Sequence, residues 1–592
     1  MSSIFENFTQ GGQTEIHKLR MIRQVIGTTL IGSLMITIVG LGTSLFWHGW
    51  EPVYYLAAYH KAQYRNQLQF LPHGFYDDSW IKSYNGWIKV PDYQLANNWQ
   101  YKHRAITIKK QVIQSANLLI AIFGGSIFMF AIYWIRKGGN RQKTKIIKGY
   151  KLVAPKVLKK QINRVGSSNI KIADLPFPVN AECEHIMITG MTGSGKTNAI
   201  HGLLQQIKAL GHKAIIVDTS GGFVSRFFDP TRDQLLNPFD QRSCNWDLWQ
   251  ECSTDYDFEE FAESLIPNNQ YDQFWTKAAQ QLFATAALQL RNSSTRSIPG
   301  LLKQLLTDPL EEAAKAFKDT LVATYLDPAA EKTALGIRAT LVSALQSLKY
   351  LTNKGATFSI NNWLKQPNNW LFLSALPTQR TVLKPLMSAW LSIAVKSLMN
   401  LGENRDRRVW FIIDELAALN KLPILTQALA ELRRFGGCCV LGFQDLQQLD
   451  TLYGVSTART LGSLTGTKVV FRLDSYGAKQ MAELFGSQEI LEPNRSISFG
   501  AHQMRDGVSL TEQHHVRYLA TPTDLMRLDN LEAFIKFPRN LDISKLKFKI
   551  YDCPEIGPPL LSNNVNLDTT DQESTNKPLK QLDLNLEERF VN

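Results

Sequence analysis

The segment Gly190-Met191-Thr192-Gly193-Ser194-Gly195-Lys196-Thr197 constrains this chain more than any other. It follows directly on a short apolar run, Ile186–Thr189, and opens a helical pattern from Asn198 to Leu210. A glycine-rich stretch ending in Lys-Thr, set between a strand and a helix, is a phosphate-binding loop. Its glycines let backbone N–H groups turn inward around an anion, at a helix N-terminus whose dipole favours negative charge. Gly190, Thr192, Gly193, Ser194, Gly195, Lys196 and Thr197 are therefore expected to hold ATP. Lys196 would reach the β- and γ-phosphates as a point charge, and Thr197 would offer its hydroxyl to Mg²⁺. Such a loop needs a parallel α/β sheet around it. Beyond Lys171, short apolar runs alternate with helical patterns, as that fold requires.

A hydrolase also needs groups to hold the metal and activate water. Val409-Trp410-Phe411-Ile412-Ile413 reads as a buried strand ending in Asp414-Glu415, at the edge where such sheets bind ligands. Asp414 is expected to orient Mg²⁺ and Glu415 to polarise the attacking water. A third strand, Cys438 to Phe443, ends in Gln444, which either senses the γ-phosphate or caps a loop. Arg433 and Arg434 end a helix that begins near Leu422 and stops at Gly436-Gly437. One of them either enters a neighbouring subunit's site or simply complements the helix dipole. The six cysteines show no CxxC spacing, which excludes a zinc ribbon or a thioredoxin-like motif, and all are expected as thiols.

Upstream the texture is different. Gln24 to Trp50 and Val112 to Ile135 contain no Asp, Glu, Lys or Arg. As a helix, Val25–Trp47 would reach about 35 Å, enough for a hydrocarbon core of about 30 Å. It is too long for a signal-peptide core, and no small-residue cleavage site follows it. Two spanning helices are expected. Lys18, Arg20 and Arg23 precede the first, and eleven Lys and Arg with no Asp or Glu follow the second between Arg136 and Arg164. Both termini then face the cytoplasm. That one stretch accounts for eleven charges of the net +13, so the excess is a local patch. Topology and attraction to anionic lipid explain it better than DNA contact does. The segment between the spans is rich in aromatics, with Tyr54, Tyr55, Tyr59, Tyr64, Trp80, Trp87 and Trp99, and lacks cysteine. It reads as a small outside module packing on membrane and partners.

Further motifs accompany this frame: Phe8-Thr9-Gln10-Gly11-Gly12-Gln13 before the first span, Phe223-Val224-Ser225, Asp229-Pro230 and Leu236-Asn237-Pro238. Trp246-Asp247-Leu248-Trp249, Phe274-Trp275, Gly402-Glu403-Asn404-Arg405, Phe435-Gly436-Gly437-Cys438, Gln447-Gln448-Leu449 and Tyr453-Gly454 follow. From about residue 8 to about 550 the chain resembles the F-type conjugative coupling proteins, the TraD family, within the type IV secretion coupling ATPases. The resemblance implies a RecA-like P-loop motor, an all-α domain and a homo-hexamer in a bacterial inner membrane. It also implies single-stranded DNA, relaxase and relaxosome proteins, and secretion-channel components as partners. It favours Arg433 over Arg434 as an arginine finger, by its spacing before Phe435-Gly436-Gly437.

The expected organisation is a cytoplasmic 1–24, spans at 25–47 and 112–135 around an outside 48–111, and a basic linker 136–170. A motor of 171–244 and 366–555 would surround a helical 245–365, with a disordered tail at 556–592. Two features depart from the family. Asp218 is followed by Ser220-Gly221-Gly222 where relatives carry an acidic residue, and the tail is short, polar and mildly acidic. Partner recognition in that tail would rest on its last residues, Leu586 to Asn592. The functional expectation is an ATPase that pumps single-stranded DNA with attached relaxase. The competing expectations are a docking receptor without a motor and a coupling ATPase for protein effectors.

Overall fold

In the computed structural model, the uncharged runs form helices longer than the runs themselves. The structure describes residues 2–68, 77–141, 145–268, 272–294, 296–351, 356–444, 446–498 and 507–563. The chain divides into two compact units, Met1–Lys145 with Ile490–His515 and Ile146–Glu489 with Val516–Asn592.

In the first unit, α1 (Ser2–His48) contains the first uncharged run and α3 (Trp99–Arg141) the second. Only 6 % of the apolar window of either helix is buried. Thr29 and Thr37 return their hydroxyls to the carbonyls of Val25 and Ser33 at 2.7 and 2.9 Å, so neither hydroxyl lacks a partner on an apolar helix. Between them, α2 (Glu51–Gln67) and the antiparallel β1 (Asp78–Ser83) and β2 (Gly86–Pro91) enclose a small core with Tyr55, Tyr59, Ala62, Ile81, Val90 and Leu95. Buried Asp92 joins them, accepting from Ser79 Oγ at 2.6 Å and Arg65 at 3.1 Å. Tyr55 and Tyr59 thus close the module's own core, whereas Trp80, Trp87 and Trp99 remain half or more exposed.

The second unit opens with α4 (Pro155–Val165) and then builds a nine-stranded sheet. Its strands are β3 (Ile186–Thr189), β4 (Lys213–Asp218), β5 (Gln234–Leu236), β8 (Trp370–Ser374), β9 (Val409–Ile413), β10 (Gly437–Phe443), β11 (Thr467–Val470), β12 (Glu532–Lys536) and β13 (Ser544–Lys547). Their order is β13-β12-β11-β3-β10-β9-β4-β8-β5. From β11 to β5 every pairing is parallel, and β12 and β13 add an antiparallel edge. Every residue of β3, β4, β8, β9, β10 and β11 is buried, as parallel strands flanked by helices on both faces must be, with Lys213 of β4 and Lys468 of β11 donating to the carbonyls of Trp363 and Thr465. Helix α5 (Lys196–Ala209) packs on one face. On the other lies α9 (Arg380–Asn400), which also passes for a membrane helix by length and apolarity. It differs in having 61 % of its window buried in the core.

Between β5 and β8 the chain leaves the sheet and returns. A two-residue parallel pair marks the exit and re-entry, β6 (Asn245–Trp246) with β7 (Thr357–Phe358). The described chain between them is helical, chiefly α6 (Asp255–Leu265), α7 (Gln273–Leu290) and α8 (Glu331–Leu345). Thr254 caps α6 through a capping box with Asp257. Glu251 ties the exit to the re-entry. Its carboxylate accepts from Trp246 Nε1 (3.0 Å), Ser359 Oγ (3.2 Å), the N–H of Asn361 (3.1 Å) and the N–H of Ile360.

The expected tail begins too early. Residues 556–563 lie along the second unit: the N–H groups of Ile556 and Gly557 bond Ser225 O, and that of Asn563 bonds Phe239 O. Leu561 holds the stretch through its main chain, accepting from the Gln241 N–H at 2.9 Å and donating to Asp240 Oδ2 at 3.3 Å, and Pro559 sits against Gly221. Residues 564–592, Leu586–Asn592 among them, lie outside the described residues.

Candidate nucleotide site

Strands β3, β10 and β9 are neighbours in parallel register, Thr189 beside Phe443 and Leu441 beside Ile413. Whatever follows each strand therefore emerges at one edge. Gly190 follows β3, Gln444 follows β10 and Asp414 follows β9, so three segments far apart in sequence share one cleft.

Lys196 is central to it and only 5 % exposed. Its Nζ lies 2.6 Å from the Asp414 carbonyl oxygen, 3.3 Å from Glu415 Oε2 and 3.5 Å from Asp414 Oδ1. Thr197 Oγ1 is 3.4 Å from Asp414 Oδ2, and Thr192 Oγ1 donates to Gln444 Oε1 at 2.7 Å. Burial raises the Glu415 carboxyl above its ordinary range; the Lys196 charge and hydrogen bond pull it back, and the Asp414 charge pushes it up again. Asp414 Oδ1 and Glu415 Oε1 are buried and accept no hydrogen bond from the described residues. An ammonium, a threonine hydroxyl and two under-satisfied carboxylates in one cleft are an oxygen-rich donor set. It suits a hard divalent cation together with phosphate.

The loop itself is held by late parts of the chain. Gly195 has φ +120°, and a Cβ there would stand 3.0 Å from the Phe471 ring and 3.3 Å from Leu531 Cα. Leu531 donates its N–H to Ser194 O at 2.8 Å, Met191 donates to Arg472 O at 2.8 Å, and Asn198 brackets Lys549 and Tyr551. No motif in the sequence announces these buttresses, because they act through backbone atoms. Gly442 is a second hidden requirement: a Cβ there would collide with the Asp414 carbonyl, the oxygen that receives Lys196.

Two sequence candidates lie elsewhere. Arg433 stands at the opposite edge of the sheet, before the seven-residue β10, so about 23 Å separates it from Gln444. It is 56 % exposed and pairs with Glu184 at 3.2 Å. Within this chain the structure does not bring it to the cleft; Arg434 shares its turn. Asp218 is fully buried and folds its own loop, accepting the N–H groups of Ser220 and Gly221 on Oδ1 and of Phe223 and Val224 on Oδ2 at 2.7–3.0 Å. Gly222 lies half-buried on that loop.

Known proteins share this fold. Residues 169–549 match the family model described as the type IV secretion-system coupling protein DNA-binding domain. The coupling protein TraD of Escherichia coli (strain K12) is 35 % identical over 454 residues, covering 74 % of this chain and 63 % of TraD, so the match spans less than two thirds of that relative. Among solved structures, the unbound bacterial conjugative coupling protein TrwB superposes with a TM-score of 0.64 at 27 % identity, covering 71 % of this chain and 97 % of TrwB. TrwB in complex with ADP and Mg²⁺, and with a non-hydrolysable ATP analogue, gives a TM-score of 0.63 at the same identity, with 98 % of TrwB covered in each. The RecA-like sheet, its phosphate loop and the match over 169–549 lead to one conclusion: this chain belongs to the type IV secretion-system coupling proteins.

Proposed function

We propose that this chain is the inner-membrane coupling ATPase of a conjugative type IV secretion system, pumping single-stranded DNA with attached relaxase into the channel. The observation that carries the reading is the junction of Lys196, Thr197, Asp414, Glu415 and Gln444 at one sheet edge. TraD and TrwB are named as coupling proteins, and TrwB has been solved with ADP and Mg²⁺.

In this mechanism Gly190, Thr192, Gly193, Ser194 and Gly195 wrap the phosphates with backbone N–H groups. Lys196 exchanges its present carboxylate partners for the β- and γ-phosphates, which releases Glu415 to orient and polarise water. Thr197 and Asp414 hold Mg²⁺, which neutralises phosphate charge. Gln444, through Thr192, reports whether the γ-phosphate is present. Arg433, remote from its own cleft, serves the next subunit of a homo-hexamer, where a guanidinium stabilises charge developing at the transferred phosphoryl group.

Helices α1 and α3 cross the inner membrane, with 48–111 outside and the motor, residues 171–244 and 366–555, in the cytoplasm. The helical 245–365, packed on the motor as its all-α domain, faces relaxosome proteins. DNA contacts are chiefly to phosphates, hence independent of sequence and sensitive to salt. The test is plasmid transfer by cells whose only copy carries Lys196→Ala. Loss of transfer with normal protein level and membrane location supports the motor; transfer at the wild-type frequency refutes it.

A further inference from the structure

After the second apolar helix the chain carries a short helix whose exposed charges are all cationic. Helix α4 (Pro155–Val165) buries only Leu158 and Ile162. Lys156, Lys159, Lys160 and Arg164 all point to solvent, and none has an ion-pair partner among the described residues. The carboxylate that touches α4 faces inward: Asp542 accepts from Gln161 Nε2 at 2.7 Å and from the Lys151 N–H at 2.9 Å. Lys148 and Lys151 extend the same charge along the preceding segment, also exposed.

Cations alone suit DNA and lipid equally. The apolar residues among them do not. Val157 and Val165 are each 45 % exposed and Leu152 is 51 % exposed, interleaved with the lysines. A phosphodiester backbone offers nothing to a valine. The boundary between headgroups and acyl chains takes both, with lysine stems lying over apolar surface and their ammonium groups at the phosphates.

We propose that α4 is a membrane-docking face that seats the motor on anionic phospholipid through Lys156, Lys159, Lys160 and Arg164, with Val157 and Val165 entering the interface. This rests on the reading that α1 and α3 cross the membrane. Binding here would be held by headgroup charge, and so would loosen with salt and with loss of anionic lipid.

The test uses the full-length chain reconstituted into bilayers of phosphatidylcholine alone or mixed with phosphatidylglycerol. A water-soluble amine-acylating reagent is applied briefly and the modified lysines are counted by mass spectrometry. The expected result is a several-fold slower modification of Lys156, Lys159 and Lys160 in the anionic bilayer, reversed by molar salt, with Lys332 in the helical segment unchanged. In the variant K156Q/K159Q/K160Q/R164Q, Lys148 and Lys151 should no longer respond to lipid charge. Equal modification in both bilayers overturns the proposal. Protection by single-stranded DNA in the neutral bilayer, with none from anionic lipid, overturns it in favour of a nucleic-acid face. An alkaline wash distinguishes the two layers of inference: release of the chain sinks the spanning reading itself, whereas retention without lipid-dependent protection sinks only the docking face.

Discussion

At the scale of single residues, the cleft is a set of charges waiting for a substrate. Lys196 is buried against two carboxylates, so removing it leaves Asp414 and Glu415 repelling each other and takes away the phosphate's main counter-charge. Lys196→Ala should lower ATP turnover by about 100-fold or more, as loss of a preorganised charge does, with the fold intact by circular dichroism. Glu415→Gln separates binding from chemistry: nucleotide affinity should stay within a few-fold while turnover falls by a comparable factor. The pH dependence follows from the sign of the shift. Burial favours the neutral Glu415 carboxyl, and a water-polarising carboxylate must be ionised, so turnover should climb with pH through a value above the ordinary carboxylate range. A kcat/KM profile for MgATP, which reports groups of the free enzyme, would show that acidic limb, and its absence would count against Glu415 as the base. Lys196, Thr197, Asp414, Glu415 and Gln444 were all legible, since a loop motif and polar residues ending apolar strands leave marks in one sequence. Leu531, Arg472 and Gly442 were not, because they act through main-chain atoms or through the absence of a side chain.

At the scale of elements, β10 and the crossing into the helical segment carry the most exposed liabilities. Gly442→Ala would force a methyl into the Asp414 carbonyl. A loss of about 1–3 kcal/mol is expected from overpacking, with weaker nucleotide binding because Lys196 loses its backbone partner. Thermal unfolding and nucleotide titration on the same preparation check both. Glu251 gives a second test with a worked sign. Burial pushes its carboxyl from 4.5 up to about 7, opposed by the N–H groups of Ile360 and Asn361, the Trp246 indole and the Ser359 hydroxyl. Between those values the folded chain holds a proton that the unfolded chain releases, so stability contributed below pH 4.5 is lost as pH rises through about 7. The loss amounts to about 3 kcal/mol at most. Denaturant melts across that window should slope downward in the wild type and flatten in Glu251→Gln. Strands β3, β9 and β10 were readable as short apolar runs; β11 was not, because Thr467 and Lys468 break its apolar pattern. The ends of α1 and α3 were not: α3 begins at Trp99 rather than near 112 because Lys102, Arg104, Lys109 and Lys110 are good helix formers outside the uncharged run. The antiparallel β12 and β13 also escaped notice, being short and interrupted by lysines.

At the scale of the whole molecule, the account requires a machine larger than the chain. Arg433 lies at the sheet edge opposite its own cleft, so its role as a finger depends on a neighbour. Mixing Lys196→Ala chains with Arg433→Ala chains should restore turnover that neither supports alone, since a Lys196→Ala subunit still offers its arginine to the intact cleft of an Arg433→Ala neighbour. No restoration in mixed rings would assign Arg433 to its Glu184 ion pair alone. The most direct measurement of the central claim is steady-state ATP hydrolysis by the full-length protein, with and without single-stranded DNA, beside Lys196→Ala. The account predicts turnover that DNA raises several-fold and that the substitution removes under both conditions. Hydrolysis by Lys196→Ala at the wild-type rate, or an assembled ring that binds DNA yet hydrolyses nothing, would contradict it.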